Sequence, residues 1–598
     1  MKMKIGMLVL VGIAICALLL ASVPSAAGAQ FFGDANKDDA INTKDCDRVV
    51  IPVGSDFMKG NILNKGMAPT ASIMYEGLVT KNSWEDTYDC WLADSWEVSE
   101  DAKVWTFHLA KNATWHDGEP FTSEDVKFTH DYIKSKKLWL SWVISRVDHV
   151  ECPNDYTAIF YLKTSYPAFL DELSHCPGIP IVPEHIWQNI DDPEHYKDNE
   201  FIGTGPFKFK TRIPGQYFVL ETNENYHGKK PYVKEVVFKV ISNKDSQILA
   251  LKSGDVDALS GISPAVANML KGRENIEIYS APDVMIFNLG FNVKSYPSNI
   301  TAFRKAMAHA IDREKICNTI FSGCARPTYT TFLMPSVAHD FVNLDTPKYD
   351  YDLAETKRLL KSAGFDDIDG DGRLEGPDGK DVTITIPTGG TAAGVWGYKI
   401  AEVLKNDWKE LGIEVNIKQL EHSQWFKEIH KSPVWIFQIG YLNHDDPDDL
   451  THFGSEAHFG DPNWHDYNNP EYDRLIEEIR STADREKRNK IGYKMQEILA
   501  NDVPSVSICS ADKMFAYRSD RFVGWEWEDV HPLSWWLEDI KILLNVKPAE
   551  DNISEEEAIT QNESEGDGGE QKIPVNLCDL LIAIIVATSI SIATRKRR

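Results

Sequence analysis

The sequence predicts an α/β fold of interleaved strands and helices, and three patterns carry that expectation. Trp105, Phe107 and Leu109 alternate with Thr106 and His108, the period-two signature of a half-buried strand. Thr122-Ser123-Glu124-Asp125 then supplies a cap and an acidic first turn for a helix bearing Val126 and Ile133. Strand and helix patterns keep interleaving to about Val546 with no short-period repeat, which favours layered α/β packing over a sandwich, solenoid or propeller.

The later elements follow the same logic. Val236, Phe238 and Val240 alternate as a second half-buried strand. Ile248, Leu249 and Leu251 suggest a short helix stopped by Gly254. Phe303, Met307, Ala310 and Ile311 share one helical face, as do Tyr472, Leu475, Ile476 and Ile479, and then Ile491, Met495, Ile498 and Leu499.

The 598 residues are enough for roughly three to five domains. A net charge of −28 repels phosphate backbones, so nucleic acid is not an expected partner. Residues 1–29 read as a signal peptide, with Lys2 and Lys4 before the apolar run Ile5–Leu20 and a small-residue site at Ala27-Gly28-Ala29. Residues 547–576 form an acidic, self-repelling linker. Residues 577–594 are eighteen largely apolar positions, about 27 Å as a transmembrane helix, and 595–598 are a basic cytoplasmic tail. This tail also resembles archaeal surface-sorting signals that are cut and replaced by a lipid. Both readings tether an exported protein to the outer face of the cytoplasmic membrane.

Seven of the nine cysteines lie between these end segments. Cys317 and Cys324 are spaced to close a small loop in an oxidising compartment, although spacing alone fixes no connectivity. Asn112, Asn299, Asn552 and Asn562 head glycosylation sequons.

Tyr75-Glu76-Gly77-Leu78 and the run from Trp96 to Val126 are more specific. GTGPFKF follows at 203–209, NENYHGKKPYVKEVVFKVI at 223–241 and ALKSGDVDAL at 250–259. FRKAMAHAIDREKI lies at 303–316, YDLAETKRLLKSAGF at 351–365, WKELGIEVNI at 408–417 and NNPEYDRLIEEI at 468–479. This ordered series resembles the family 5 extracellular solute-binding proteins, the peptide and nickel receptors of ABC importers. The resemblance implies a periplasmic-binding-protein-like two-lobe fold (type II) with an extra α/β domain. One lobe would comprise 47–76, 201–288 and 515–546, the extra domain 77–200 and the second lobe 289–514. Hinged closure would bury the ligand and present the closed form to the permease. His116-Asp117-Gly118 and Gly203, Gly205 and Pro206 are read from their own chemistry as tight turns, not as a metal or phosphate site.

The resemblance also implies the ligand contacts. One cleft wall would be Lys65-Gly66-Met67, and the second would carry Gln438, Gly440 and Tyr441, with Trp425 over a side-chain pocket. Where peptide receptors place an Asp for the peptide's α-ammonium, this chain has Asn443 or His444, with Asp445, Asp446 and Asp448 following. Gln438 stands where an Arg is sometimes found. Main-chain pairing of an extended peptide suits such a wall. Six histidines, His422, His430, His444, His452, His458 and His465, leave a nickel or nickel-chelate cargo as the alternative, against a polar loop region with scattered imidazoles.

No cofactor is required by this reading; a structural Ca²⁺ is the metal the sequence suggests. Within residues 30–46, Asp34, Asn36, Asp38, Asn42 and Asp45 match oxygen-ligand positions of a twelve-residue calcium loop and resemble a single dockerin-type repeat, with Asp39 where Gly is usual. Asp367, Asp369, Asp371 and Glu375 match a second loop, with Gly372 at the sharp turn and Pro377 blocking an exit helix. This is either a calcium loop or a solvated acidic turn. No GxSxG, HExxH or phosphate loop supports an enzyme. The expected function is therefore solute binding for an ABC importer, with peptide or a similar small solute as ligand. A surface structural protein or secreted hydrolase is the more distant alternative.

Overall fold

The computed structural model describes residues 47–56, 62–63, 71–82, 87–174, 179–198, 200–281, 286–329, 341–389, 392–439, 447–455, 463–525 and 540–549. The signal-like segment, the 34–45 loop and the 577–594 segment lie outside these residues. Among the described residues no helix is long and apolar enough to cross a membrane.

Four sheets organise the described chain. In the first, Arg48–Val53 runs parallel to Glu235–Val240, followed by antiparallel Tyr217–Thr222 and Phe207–Ile213. Its second strand is flanked on both edges, and Val236, Val237 and Phe238 are all buried, so the expected half-buried alternation is replaced by burial on both faces. A smaller sheet places the late strand Lys513–Arg518 between Ala258–Leu259 and Ile276–Ala281. Asp257 fastens the two sheets: its carboxylate accepts from the Val50 amide at 2.7 Å and the Arg521 guanidinium at 2.5 Å.

The third sheet is antiparallel, in the order Ala93–Val98, Val104–Leu109, Thr157–Leu162, Val147–Asn154. Here Trp105, Phe107 and Leu109 are buried while Thr106 and His108 are not, as the period-two pattern requires. Helix Ser123–Lys136 packs on this unit, with a capping box between Thr122 and Asp125. The fourth sheet runs Ala325–Pro327, Ser505–Ala511, Ile286–Phe291, Val434–Ile439. Beside it, Thr383–Gly389 and Glu414–Leu420 pair in parallel across helix Ala392–Trp408, a βαβ crossover.

The buried clusters divide in the same way. One joins Val49 through Ala258 with Phe515 through Val546, while two others lie within 286–509. Helices Pro470–Ser481 and Arg485–Asp502 bury the stripes read from sequence, capped by Asn469 and Asp484; Ile498 is only half-buried. Helix Lys244–Ser253 ends at Gly254 in the left-handed region, but Leu249 is 65% exposed while Ala250 and Leu251 face inward. The expected Cys317–Cys324 loop is not formed. Neither thiol is in a disulfide, and Cys317 on helix Arg313–Phe321 is turned into the core, in the same buried cluster as Cys509. The chain reverses at Ser322 and Gly323, both at positive φ, and carries Cys324 to the sheet edge, where its carbonyl accepts from Asp512.

Candidate functional site

Of the expected cleft residues, Lys65, Gly66, Met67, Gly440, Tyr441, Asn443, His444 and Asp445 lie outside the described residues. Their supports are described. Strand Val434–Ile439 leads into the 440–446 stretch with Gln438 opposite Phe287 in antiparallel register. Val434 and Ile436 enter one buried cluster, Trp435 and Phe437 another, so both faces of the strand are packed. Such packing makes a rigid base for a ligand wall.

Trp425 lies on helix His422–Ile429 and is 8% exposed. Its indole N–H donates to the Pro387 carbonyl at 3.2 Å, and its ring lies over Gly389, where an added Cβ would come within 3.0 Å. The ring therefore belongs mainly to the wall's interior. Phe426, Trp464, Phe437 and His465 continue this contact as an edge-to-face aromatic series, which Trp435 and Phe453 join at His465. Of this assembly the sequence singled out Trp425 as a pocket residue and His465 as one of six histidines; the separation of the other rings along the chain hid their membership.

The histidine-rich stretch does not assemble a metal centre from described residues. Burial holds the His465 pKa down at about 3, so its imidazole is neutral among aromatic rings. The side chains of His422, His444 and His458 lie outside the described residues. Asp448, one of the three acids following the amine-binding position, is committed elsewhere: it accepts from the Tyr166 hydroxyl at 3.0 Å and lies 3.5 Å from Arg480 Nε.

The glycine landmarks have a packing role. The Gly205 amide donates to the Met74 carbonyl, and a Cβ on Gly203 would sit 1.9 Å from that oxygen. His116 Nδ1 accepts from the Gly203 amide at 3.2 Å, which leaves Nε2–H to donate to the Gly205 carbonyl at 3.0 Å. Burial lowers the His116 pKa, consistent with a neutral structural imidazole. Gly118 turns the chain at positive φ. Next to this connection, buried Glu76 accepts from Tyr226 at 2.8 Å and His227 Nε2 at 3.0 Å. Burial pulls the His227 pKa down, but the Glu76 hydrogen bond and charge outweigh it, so the net shift is upward.

Asp367, Asp369, Asp371 and Glu375 are the described set with ligand oxygens close enough to share an ion, all within 4.8 Å of one another. Asp367 accepts from the Gly370 and Gly372 amides, Asp371 from the Arg373 amide and Glu375 from the Ile368 amide. Gly370 and Gly372 supply positive φ, and Glu375 leaves the loop through bridges to Asp366 and Asp381, not through a helix. An all-oxygen set suits a hard cation such as Ca²⁺. The 34–45 loop residues Asp34, Asn36, Asp38, Asn42 and Asp45 lie outside the described residues.

The family described as bacterial extracellular solute-binding proteins, family 5 Middle, matches residues 87–461. Oligopeptide-binding protein AppA of Bacillus subtilis is 26% identical over 510 residues, covering 82% of this chain and 91% of AppA. The nickel-binding periplasmic protein of Escherichia coli is 28% identical over 405 residues, covering 66% of this chain and 74% of that protein. The solved structure of B. subtilis AppA with a nonapeptide superposes with a TM-score of 0.68 at 23% identity, covering 84% of this chain and 99% of the other. That superposition shows a shared periplasmic-binding-protein-like α/β fold.

Proposed function

Since the chain belongs to the family 5 bacterial extracellular solute-binding proteins, we propose that it captures a peptide in a cleft between two lobes and delivers it to an ABC permease. Solute binding for an ABC importer follows from the family, whose members are transport receptors and not enzymes. The observation that carries the peptide reading is the strand Val434–Ile439, packed on both faces and running into Gly440 and Tyr441. An extended ligand pairs with such a wall through its main chain, which reads peptide backbone and tolerates varied side chains. AppA, named as an oligopeptide-binding protein, supports the same cargo.

The division of the buried clusters supports two lobes; the 93–162 sheet, which shares a cluster with the first, is assigned to the extra domain by the family resemblance. Closure then buries the ligand, and the permease selects the closed form. The ectodomain works at the outer face of the membrane, held by 577–594 or by a lipid that replaces it. The Asp367–Glu375 loop holds a structural Ca²⁺.

A second cargo, nickel or a nickel chelate, is favoured by Asn443 and His444 at the amine-binding position and by similarity to the E. coli nickel-binding protein. Native mass spectrometry of the purified chain, before and after denaturation, separates the two. Heterogeneous adducts of peptide mass, released on unfolding, are expected. One metal or metal-chelate adduct assigns the nickel reading instead. Replacing Tyr441 and Trp425 by Ala together weakens binding of the captured peptides, and unchanged affinity removes both from the site.

A further inference from the structure

Three acidic groups meet where the 93–162 sheet unit touches the layer that follows the 440–446 stretch. The Tyr166 hydroxyl lies 2.8 Å from Glu172 Oε1 and 3.0 Å from Asp448 Oδ2. Tyr166, Glu172 and Asp448 are all more than nine-tenths buried. A phenol carries one proton and can donate to only one of two carboxylates. The second short contact is attractive only when one carboxyl is itself protonated.

The surrounding charges identify that carboxyl. Asp448 lies 3.5 Å from the Arg480 guanidinium, which favours its ionised form. Among the described residues Glu172 has no such partner at contact distance. Arg146 stacks on the Tyr166 ring at 4.0 Å and acts on Glu172 from beyond the phenol. Among the described residues no hydrogen bond reaches the buried Glu172 Oε2, a position better suited to the carbonyl oxygen of a neutral acid than to a carboxylate. Asp171 adds a further repulsive charge toward Glu172, while Glu477 faces Arg146.

We propose that Glu172 holds a proton in the folded protein and donates it to Tyr166, which in turn donates to Asp448, clasping the sheet unit to the 447–453 turn. Glu172 and Tyr166 are thus positioning residues for Asp448 and the 447–453 turn, a role independent of the peptide-cleft reading above. Burial foremost, with the Asp448 charge, raises the Glu172 pKa to about 8 against the opposing Tyr166 hydrogen bond and Arg146 charge. Above that range Glu172 releases its proton to solvent. Two carboxylates then face one hydroxyl, and the clasp loosens.

Backbone hydrogen–deuterium exchange of residues 447–453, measured on the full chain and corrected for intrinsic rates, tests the clasp without any ligand. The cleft reading can therefore fail without deciding this result. Protection is expected to fall by about tenfold between about pH 6 and about pH 9.5 in the wild type. Glu172→Gln keeps a neutral donor toward Tyr166 and is expected to show no such fall. The infrared C=O stretch of a protonated carboxyl at neutral pH should also disappear in E172Q. Wild-type protection that does not change with pH, or E172Q with the wild-type pH profile, overturns the proposal. If E172Q does not fold, Tyr166→Phe gives the same decision: its 447–453 exchange should be fast and independent of pH, and a retained wild-type profile overturns the clasp.

Discussion

The indole N–H of Trp425 donates to the carbonyl of Pro387 at 3.2 Å, tying the helix of the candidate wall to the end of a parallel strand pair. Trp425→Phe keeps most of the ring but leaves that buried carbonyl without its donor, and should cost about 1–2 kcal/mol. Trp425→Ala also opens a cavity and should cost about 3–5 kcal/mol. Denaturant unfolding of both variants checks the difference. A loss in the alanine variant below about 1 kcal/mol would place the ring outside the packed wall.

Gly203→Ala would drive a methyl group to 1.9 Å from the Met74 carbonyl. The two nearest atoms both belong to the Met74 backbone, so the backbone must move and the chain should lose about 3 kcal/mol. Gly54→Ala meets nothing within 4 Å and serves as the control in the same thermal melts.

His227 gains protonation strength from Glu76 on folding. Its contribution is complete below the unfolded value of about 6.5 and is lost as pH rises through the higher folded value. Glu76→Gln should therefore destabilise the chain more at about pH 6 than at about pH 9, with a loss of about 3 kcal/mol at the lower pH. Urea titrations at the two pH values measure this. An equal loss at both would show that the imidazole does not gain a proton from this pair.

Calcium should raise the unfolding midpoint through the Asp367–Glu375 loop. At a free concentration about 100 times Kd the gain is about 2.7 kcal/mol, and a chelator reverses it. Asp369→Asn combined with Asp371→Asn should abolish the shift. These side chains are exposed, so the double variant should fold without calcium as the parent does. A calcium response retained in that variant would move the site elsewhere in the chain.

The local parts of the fold were legible in the sequence. Helices Pro470–Ser481 and Arg485–Asp502 are marked by caps and apolar spacing that act within a few turns. The His116-Asp117-Gly118 turn was also legible, because Gly118 supplies the required φ. Its role in holding Gly203 and Gly205 was not, since those partners come almost ninety residues later. Distance along the chain hid the rest. Tyr166 meets Asp448 across 282 positions, and no periodicity records that meeting. The period-two reading of Val236, Phe238 and Val240 missed the burial of Val237, because alternation in one strand does not record what packs on the sheet's other face. The resemblance named Trp425 as a pocket residue, and the structure packs its ring against Pro387 and Gly389; Phe437, Trp464 and His465 join it only through tertiary packing.

The fastening of Arg48–Val53 beside Glu235–Val240, with Asp257 bonded to both Val50 and Arg521, also imposes a timetable. The first strand stands near the start of the described chain, yet its parallel neighbour lies almost two hundred residues later and Arg521 later still. The antiparallel sheet of 93–162 needs only nearby chain and can form first. Val49, Val50 and Ile51 must wait in water until the later strands arrive, an apolar edge exposed to strays from other emerging chains. Short loops therefore favour early completion of the 93–162 sheet, while the fastening through Asp257 and Arg521 closes last.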